Sequence, residues 1–170
     1  MELRRFFDRA IRASFSDLAF RDDPVVPYLA DLLTRFARTE TLFPHGTTVP
    51  RLETVVDMVT EIHGFWQAEA SSFRPEREVS LRRHIGDFTL FMIGIFRERV
   101  ERSASTSYYI VEGKRAYRFV SEHARASDRQ DAPYHRLAER FENYARVLDY
   151  TRRVHFFDHP PHRFFRLDGE

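Results

Sequence analysis

Phe88-Thr89-Leu90-Phe91-Met92-Ile93-Gly94-Ile95-Phe96 is the longest apolar run in the chain, broken only by Thr89 and Gly94. As a helix these residues would rise about 14 Å, under half of the roughly 30 Å of a membrane's hydrocarbon layer. The run is therefore expected in a protein core and not as a membrane span. A helix that is apolar nearly all round must be covered on several sides. We expect a central helix, opened by Pro75 and running to about 102. Gly86 and Gly94 lie in it, and each glycine costs a helix interior roughly 1 kcal/mol against alanine. Spaced by eight residues, they are expected near one face, where a second helix can approach closely.

Working outward, apolar residues recur at helical spacing in five further segments. The first runs from about Glu2 to Phe20, with Leu3, Phe6, Phe7, Ala10, Ile11, Ser14, Phe15 and Leu18 on one stripe. Asp22-Asp23-Pro24 ends it and opens the second, to about 39, with Asp23 as N-cap and Pro24 at the first helical position. That helix is expected to bury Tyr28, Leu29, Leu32, Leu33 and Phe36. Pro50 opens the third, to about 71, with Leu52, Val55, Val56, Val59, Ile62, His63 and Trp66 on its stripe. After the central helix, Ser103 to Ser107 reads as a break and N-cap cluster. The fifth helix, about 106 to 126, carries Tyr109, Gly113, Ala116, Val120 and Ala124, a small-residue stripe suited to packing on the glycines of the fourth. The sixth, about 132 to 155, carries Tyr134, Leu137, Phe141, Tyr144 and Leu148. No hairpin dipeptide or sustained period-two run appears. The expected fold is all-α: a single-domain bundle of about six helices over residues 1–155, with an aromatic tail over 156–170.

Composition narrows the function classes. The chain has 170 residues, the size of one ordinary domain. With no cysteine, thiolate metal sites, disulfides and cysteine nucleophiles are excluded together. A net charge of +1, from 27 basic and 26 acidic side chains, argues against a nucleic-acid binder. Arginines at helical spacing interrupt the first nineteen residues, so no secretory leader is expected there and a cytoplasmic location is. The 17 phenylalanines point to an aromatic core with an aromatic pocket or dimer face besides.

Tyr28-Leu29-Ala30-Asp31-Leu32-Leu33 with Phe36-Ala37-Arg38 makes one motif. Gly86-Asp87-Phe88-Thr89-Leu90-Phe91 with Gly94 and Phe96, then Tyr108-Tyr109, Gly113 and Ala116-Tyr117, makes another. Together they resemble a group of uncharacterised bacterial helical proteins of similar length, over about residues 24 to 150. The resemblance implies a kinship of fold and carries no activity.

Asp87 is the leading candidate residue, because a carboxylate in the most apolar stretch is costly unless paired. An arginine, the hydroxyl of Tyr108, Tyr109 or Tyr117, or His84 one turn back are its expected partners. Such a link would be structural between the fourth and fifth helices, or functional, since functional sites gather perturbed carboxylates. His63, Trp66, His84, Asp87, Tyr108, Tyr109 and Tyr117 could together line a ligand pocket between the third, fourth and fifth helices. In the tail, His155, His159 and His162 have a metal-like spacing that Pro160 and Pro161 spoil, so no metal site is assigned. Phe156, Phe157, Phe164 and Phe165 are too apolar for a free tail and are expected on the bundle or on a second subunit.

The chain lacks a Glu-x-x-His pair, a His-Glu-x-x-His motif, a phosphate-binding glycine loop and a Gly-x-Ser-x-Gly elbow. The expected function is accordingly a non-catalytic interaction or self-association module with a protein partner or a second copy. A small-ligand or cofactor-binding pocket is the alternative, with the cofactor unspecified. An enzyme using Asp87 and a histidine as acid and base is the weakest reading.

Overall fold

The computed structural model describes residues 2–21, 23–37, 60, 75–103, 105–127 and 133–156. Among these the fold is all-α, with seven helices and no strand. They are α1 (Glu2–Asp17), α2 (Val26–Ala37), α3 (Pro75–Ile95), α4 (Arg97–Ser103), α5 (Thr106–Ala126), α6 (Tyr134–Glu139) and α7 (Phe141–His155), with a 3-10 turn over Asp23–Val25 before α2. The third helix expected from sequence, about 50 to 71, lies outside the described residues except for Thr60, which is helical.

Every residue of α3 from Ile85 to Ile95 is buried. Helices α5 and α7 pack along it, and α2 adds Phe36, whose ring centre lies 4.8 Å from that of Phe91. Helix α1 rests on α2 and α7, and α6 on α5. The α1–α7 contact holds a small polar pair inside apolar surroundings: Thr151 Oγ1 and Ser14 Oγ lie 2.6 Å apart, both fully buried. Their helices' own carbonyls, Val147 O and Ala10 O, are also within hydrogen-bonding reach, so neither hydroxyl is stranded.

Helix α1 stops at Asp17, earlier than expected, because a Schellman turn closes it. The Phe20 N–H donates to Phe15 O (2.9 Å) and the Ala19 N–H to Ser16 O (3.1 Å). Ala19 takes the left-handed conformation, φ 58°, where glycine is usual. The Phe15 and Phe20 rings meet edge-on at 6.3 Å, the hydrophobic contact that accompanies this turn. The single helix expected over 75–102 is divided at Phe96, and that expected over 132–155 at Arg140. Phe96 and Arg140 are each bonded to the turns on both sides (Phe96 N–H to Met92 O and Val100 N–H to Phe96 O; Arg140 N–H to Arg136 O and Tyr144 N–H to Arg140 O), so these are bends in a continuing path. Helix α5 begins where its cap chemistry dictates: Ser105 Oγ accepts from the Tyr108 N–H at 3.2 Å.

The glycines of α3 do not share one partner. A Cβ on Gly86 would lie 2.7 Å from the Tyr117 ring of α5, whereas one on Gly94 would lie 2.6 Å from Leu148 of α7. Eight residues turn a helix by about 80° beyond two full turns, enough to aim the two glycines at different neighbours. Gly113 answers from α5, where a Cβ would lie 2.4 Å from Thr89 Oγ1 and 2.6 Å from Phe141.

Candidate functional site

Asp87 is fully buried in the middle of α3, and three side chains from two other helices converge on its carboxylate. Oδ1 accepts from the Tyr28 hydroxyl at 2.6 Å and from the Tyr117 hydroxyl at 2.7 Å. Oδ2 accepts from Arg35 Nη2 at 2.9 Å. Tyr28 and Arg35 belong to α2 and Tyr117 to α5, so one carboxylate ties α2, α3 and α5 together. The geometry on α2 follows from its spacing. Seven residues make nearly two full turns, so Tyr28 and Arg35 share a face about 10 Å apart. One reaches the carboxylate from each side. The burial of Asp87 is thus compensated by one ion pair and two hydroxyl donors, the condition under which a buried charge is tolerated.

A second layer surrounds this link. The Tyr134 ring meets Tyr28 edge-on at 5.6 Å and lies 6.4 Å from Tyr117. The neighbouring Tyr134 holds Arg83, exposed on α3, above the usual arginine range. His84 sits between Phe36 and Phe88, at ring distances of 6.1 and 6.3 Å.

Electrostatics set what the cluster can do. Burial pushes the Tyr28 and Tyr117 hydroxyls well above the usual tyrosine range, and the Asp87 charge pushes them further. Both therefore stay protonated far beyond neutral pH. Burial pulls His84 below the usual histidine range, partly offset by the field of Asp87. With both carboxylate oxygens occupied and both hydroxyls held as donors, these three groups form a link between helices.

The residues named from sequence separate in three dimensions. Asp87, His84 and Tyr117 come together. Tyr109 is buried in the core, eight residues and about 12 Å along α5 from Tyr117, and Tyr108 is partly exposed beside it, so neither reaches Asp87. His63 and Trp66 lie outside the described residues, as do Phe157, Phe164, Phe165, His159 and His162. Phe156 is buried by the bundle itself, with its ring 5.8 Å from Phe6 and 5.6 Å from Phe7. His155 Nε2 lies 3.3 Å from Asp17 Oδ2, which also accepts from the Tyr150 hydroxyl at 2.9 Å. Among the described residues no three histidines or carboxylates gather to hold a metal ion, and no helix is long and apolar enough to cross a membrane.

Sequence reasoning missed Tyr28, Arg35 and Tyr134 as members of the cluster. The available signal was Arg35 itself, an arginine on the same face of α2 as Tyr28, Leu32 and Phe36. A cleft of about 460 Å³ lies at the α1–α2 corner, lined by Arg12, Phe15, Ser16, Ala19, Phe20, Arg21 and Val26, away from the Asp87 cluster.

The chain matches no protein-family model, no curated protein and no solved structure. No activity therefore passes to these residues from a relative.

Proposed function

We propose that this chain is a non-catalytic helical interaction module that works through its outer surface, most simply by binding a second copy of itself. The observation that carries this reading is the way α3 and α5 close on each other. The ring of Tyr117 fills the space beside Gly86, and Thr89 and Phe141 fill the space beside Gly113. The polar groups in that contact are spent on one another, through the Asp87 carboxylate. A contact packed to this density leaves no room for a substrate between the two helices, and the hydroxyls beside it are held neutral. What remains for recognition is the outside. There α5 and α7 carry the exposed Val111 and Val154 among arginines.

Native mass spectrometry of the full chain, set against its denatured mass, tests the reading. A dimer or higher oligomer without added small mass supports it. A truncation ending at Phe156, which spares the buried anchor, should then lower the fraction of oligomer if the tail contributes to the contact. A bare monomer from micromolar to hundreds of micromolar protein overturns self-association. Extra mass released on denaturation overturns it in favour of ligand binding.

A further inference from the structure

Among the described residues Ala19 is the one residue other than glycine with a positive φ, 58°. That conformation costs an L residue free energy and glycine almost none. Glycine would close the same Schellman turn without strain, so closing α1 does not account for an alanine here. Ala19 also stands in the wall of the 460 Å³ cleft at the α1–α2 corner. A strained residue and a cavity thus fall on one turn, and backbone strain of this kind gathers at binding sites.

The walls carry two kinds of group. Phe15 and Val26 are buried and Phe20 half-buried, and they form an apolar side on which the two phenyl rings meet edge-on at 6.3 Å. Arg12 and Arg21, both exposed, line the same cleft, and no acid does among the described residues. The turn brings these groups together. Its Phe20 N–H to Phe15 O bond (2.9 Å) sets the second ring against the first, and Arg21 follows at once. Arg12 shares a face of α1 with Phe15 and Ser16, three and four residues on. Asp8 fixes its direction by accepting from Nε at 2.7 Å.

We propose that this cleft binds a small aromatic carboxylate, with its ring against Phe15 and Phe20 and its head group at Arg12 and Arg21. Aromatic walls favour a flat apolar body, and a guanidinium forks onto both oxygens of a carboxylate. Asp8 already shares the charge of Arg12, which suits a singly charged head better than a phosphate dianion. The volume lies within the range of about 300–1,000 Å³ usual for small-molecule sites. Ala19 is the positioning residue: a turn stiffer than glycine would make it leaves less to be ordered when the ligand arrives. The cleft opens to solvent past Ser16 and Arg21, so its ligand exchanges freely and protein prepared without it carries no added mass. The site is separate from the α3–α5 contact and does not depend on self-association.

Amide chemical shifts of the isotope-labelled full chain, titrated with phenylacetate at matched ionic strength, test it. Millimolar phenylacetate should move the signals of Phe15, Ser16, Ala19, Phe20 and Arg21 in a saturable way. Phenylacetamide, which keeps the ring and loses the charge, and acetate, which keeps the charge and loses the ring, should each bind about tenfold more weakly or worse. Arg21→Ala should weaken phenylacetate binding about tenfold, the loss that one charge-assisted hydrogen bond carries. Its helicity should be unchanged, because the side chain removed is exposed. Arg146→Ala, an exposed arginine of α7, should bind as wild type does. Ala19→Gly should melt higher and yet bind about threefold more weakly, a combination that a purely structural role for Ala19 does not produce. No saturable shift at the cleft overturns the site, as does Arg21→Ala binding as wild type does. An equal loss in Arg146→Ala shows general charge attraction and overturns it too. Phenylacetamide or acetate binding as tightly as phenylacetate overturns the choice of ligand, and undiminished binding in Ala19→Gly overturns the part given to the turn.

Discussion

Replacing Asp87 separates the components of the cluster, because its two oxygens serve different partners. Asp87→Asn keeps an acceptor at the Oδ1 position, where both tyrosine hydroxyls already donate. It places an amide N–H₂ opposite Arg35, so donor meets donor and the ion pair is lost. Arg35 is half exposed and recovers much of its hydration, so the loss is discounted towards the surface value. With the two tyrosine bonds weakened from charge-assisted to neutral, the expected cost is about 1–2 kcal/mol. Asp87→Ala removes every acceptor. The fully buried Tyr117 hydroxyl is then stranded, Tyr28 partly so, and a small cavity opens, for an expected cost of about 3–5 kcal/mol.

Urea denaturation followed by circular dichroism reads both. For a chain of this length each kcal/mol moves the melting temperature by about 2–4 °C, so Asp87→Ala should melt roughly 6–20 °C below wild type. The order Asp87→Ala well below Asp87→Asn is the test of the geometry. Equal losses would mean that Arg35 and not the tyrosine pair carries the link. A loss under about 1 kcal/mol for Asp87→Ala would refute the reasoning altogether, since a buried three-donor site cannot lose its acceptor so cheaply.

Four further outcomes follow from other parts of the molecule. Gly113→Ala should destabilise by about 1–3 kcal/mol despite the better helix propensity of alanine, because the new methyl meets Thr89 and the buried Phe141 ring; a raised urea midpoint would contradict it. Ala19→Gly should stabilise by about 0.5–1 kcal/mol, because Ala19 holds a left-handed conformation that glycine adopts freely; an unchanged or lowered melting temperature would count against the Schellman turn. Tyr28 and Tyr117 titrate higher folded than unfolded, so their contribution is whole below the unfolded value near 10 and lost as pH rises towards the folded value, at up to about 1.4 kcal/mol per pH unit for each. Urea midpoints should fall above pH 10 and fall less steeply in Tyr117→Phe. His84 titrates lower folded than unfolded, so stability should decline as pH drops below about 6.5, with His84→Gln flattening that decline.

The sequence announced some parts of this structure and concealed others, for reasons that lie in particular residues. The ends of α5 were legible because Ser105 caps it and Ser127 follows it, so local chemistry defines both. The bends at Phe96 and Arg140 were not, since neither site carries the proline or glycine that marks a local break. Asp87 stood out as the acid at the edge of the apolar run, and Tyr117 could be named as a partner because only the short α4 separates α3 from α5 in the chain. Tyr28 and Arg35 lie 59 and 52 residues away. Periodicity tells which face of α2 turns inward but not which helix that face meets.

That distinction also explains why the candidate pocket did not assemble. Tyr108 and Tyr109 were grouped with Tyr117 as aromatics of one helix, yet a separation of eight or nine residues puts them about 12 Å or more along α5 from Tyr117, the residue that reaches the carboxylate. An arginine was expected as a partner of Asp87, but nothing local in the sequence picks Arg35 out among the other arginines. Its place at the edge of the inward face of α2 is what separates it from the others: half exposed, it still reaches the fully buried Asp87 with one nitrogen. The buried acid of α3 and the arginine of α2 are thus each other's explanation.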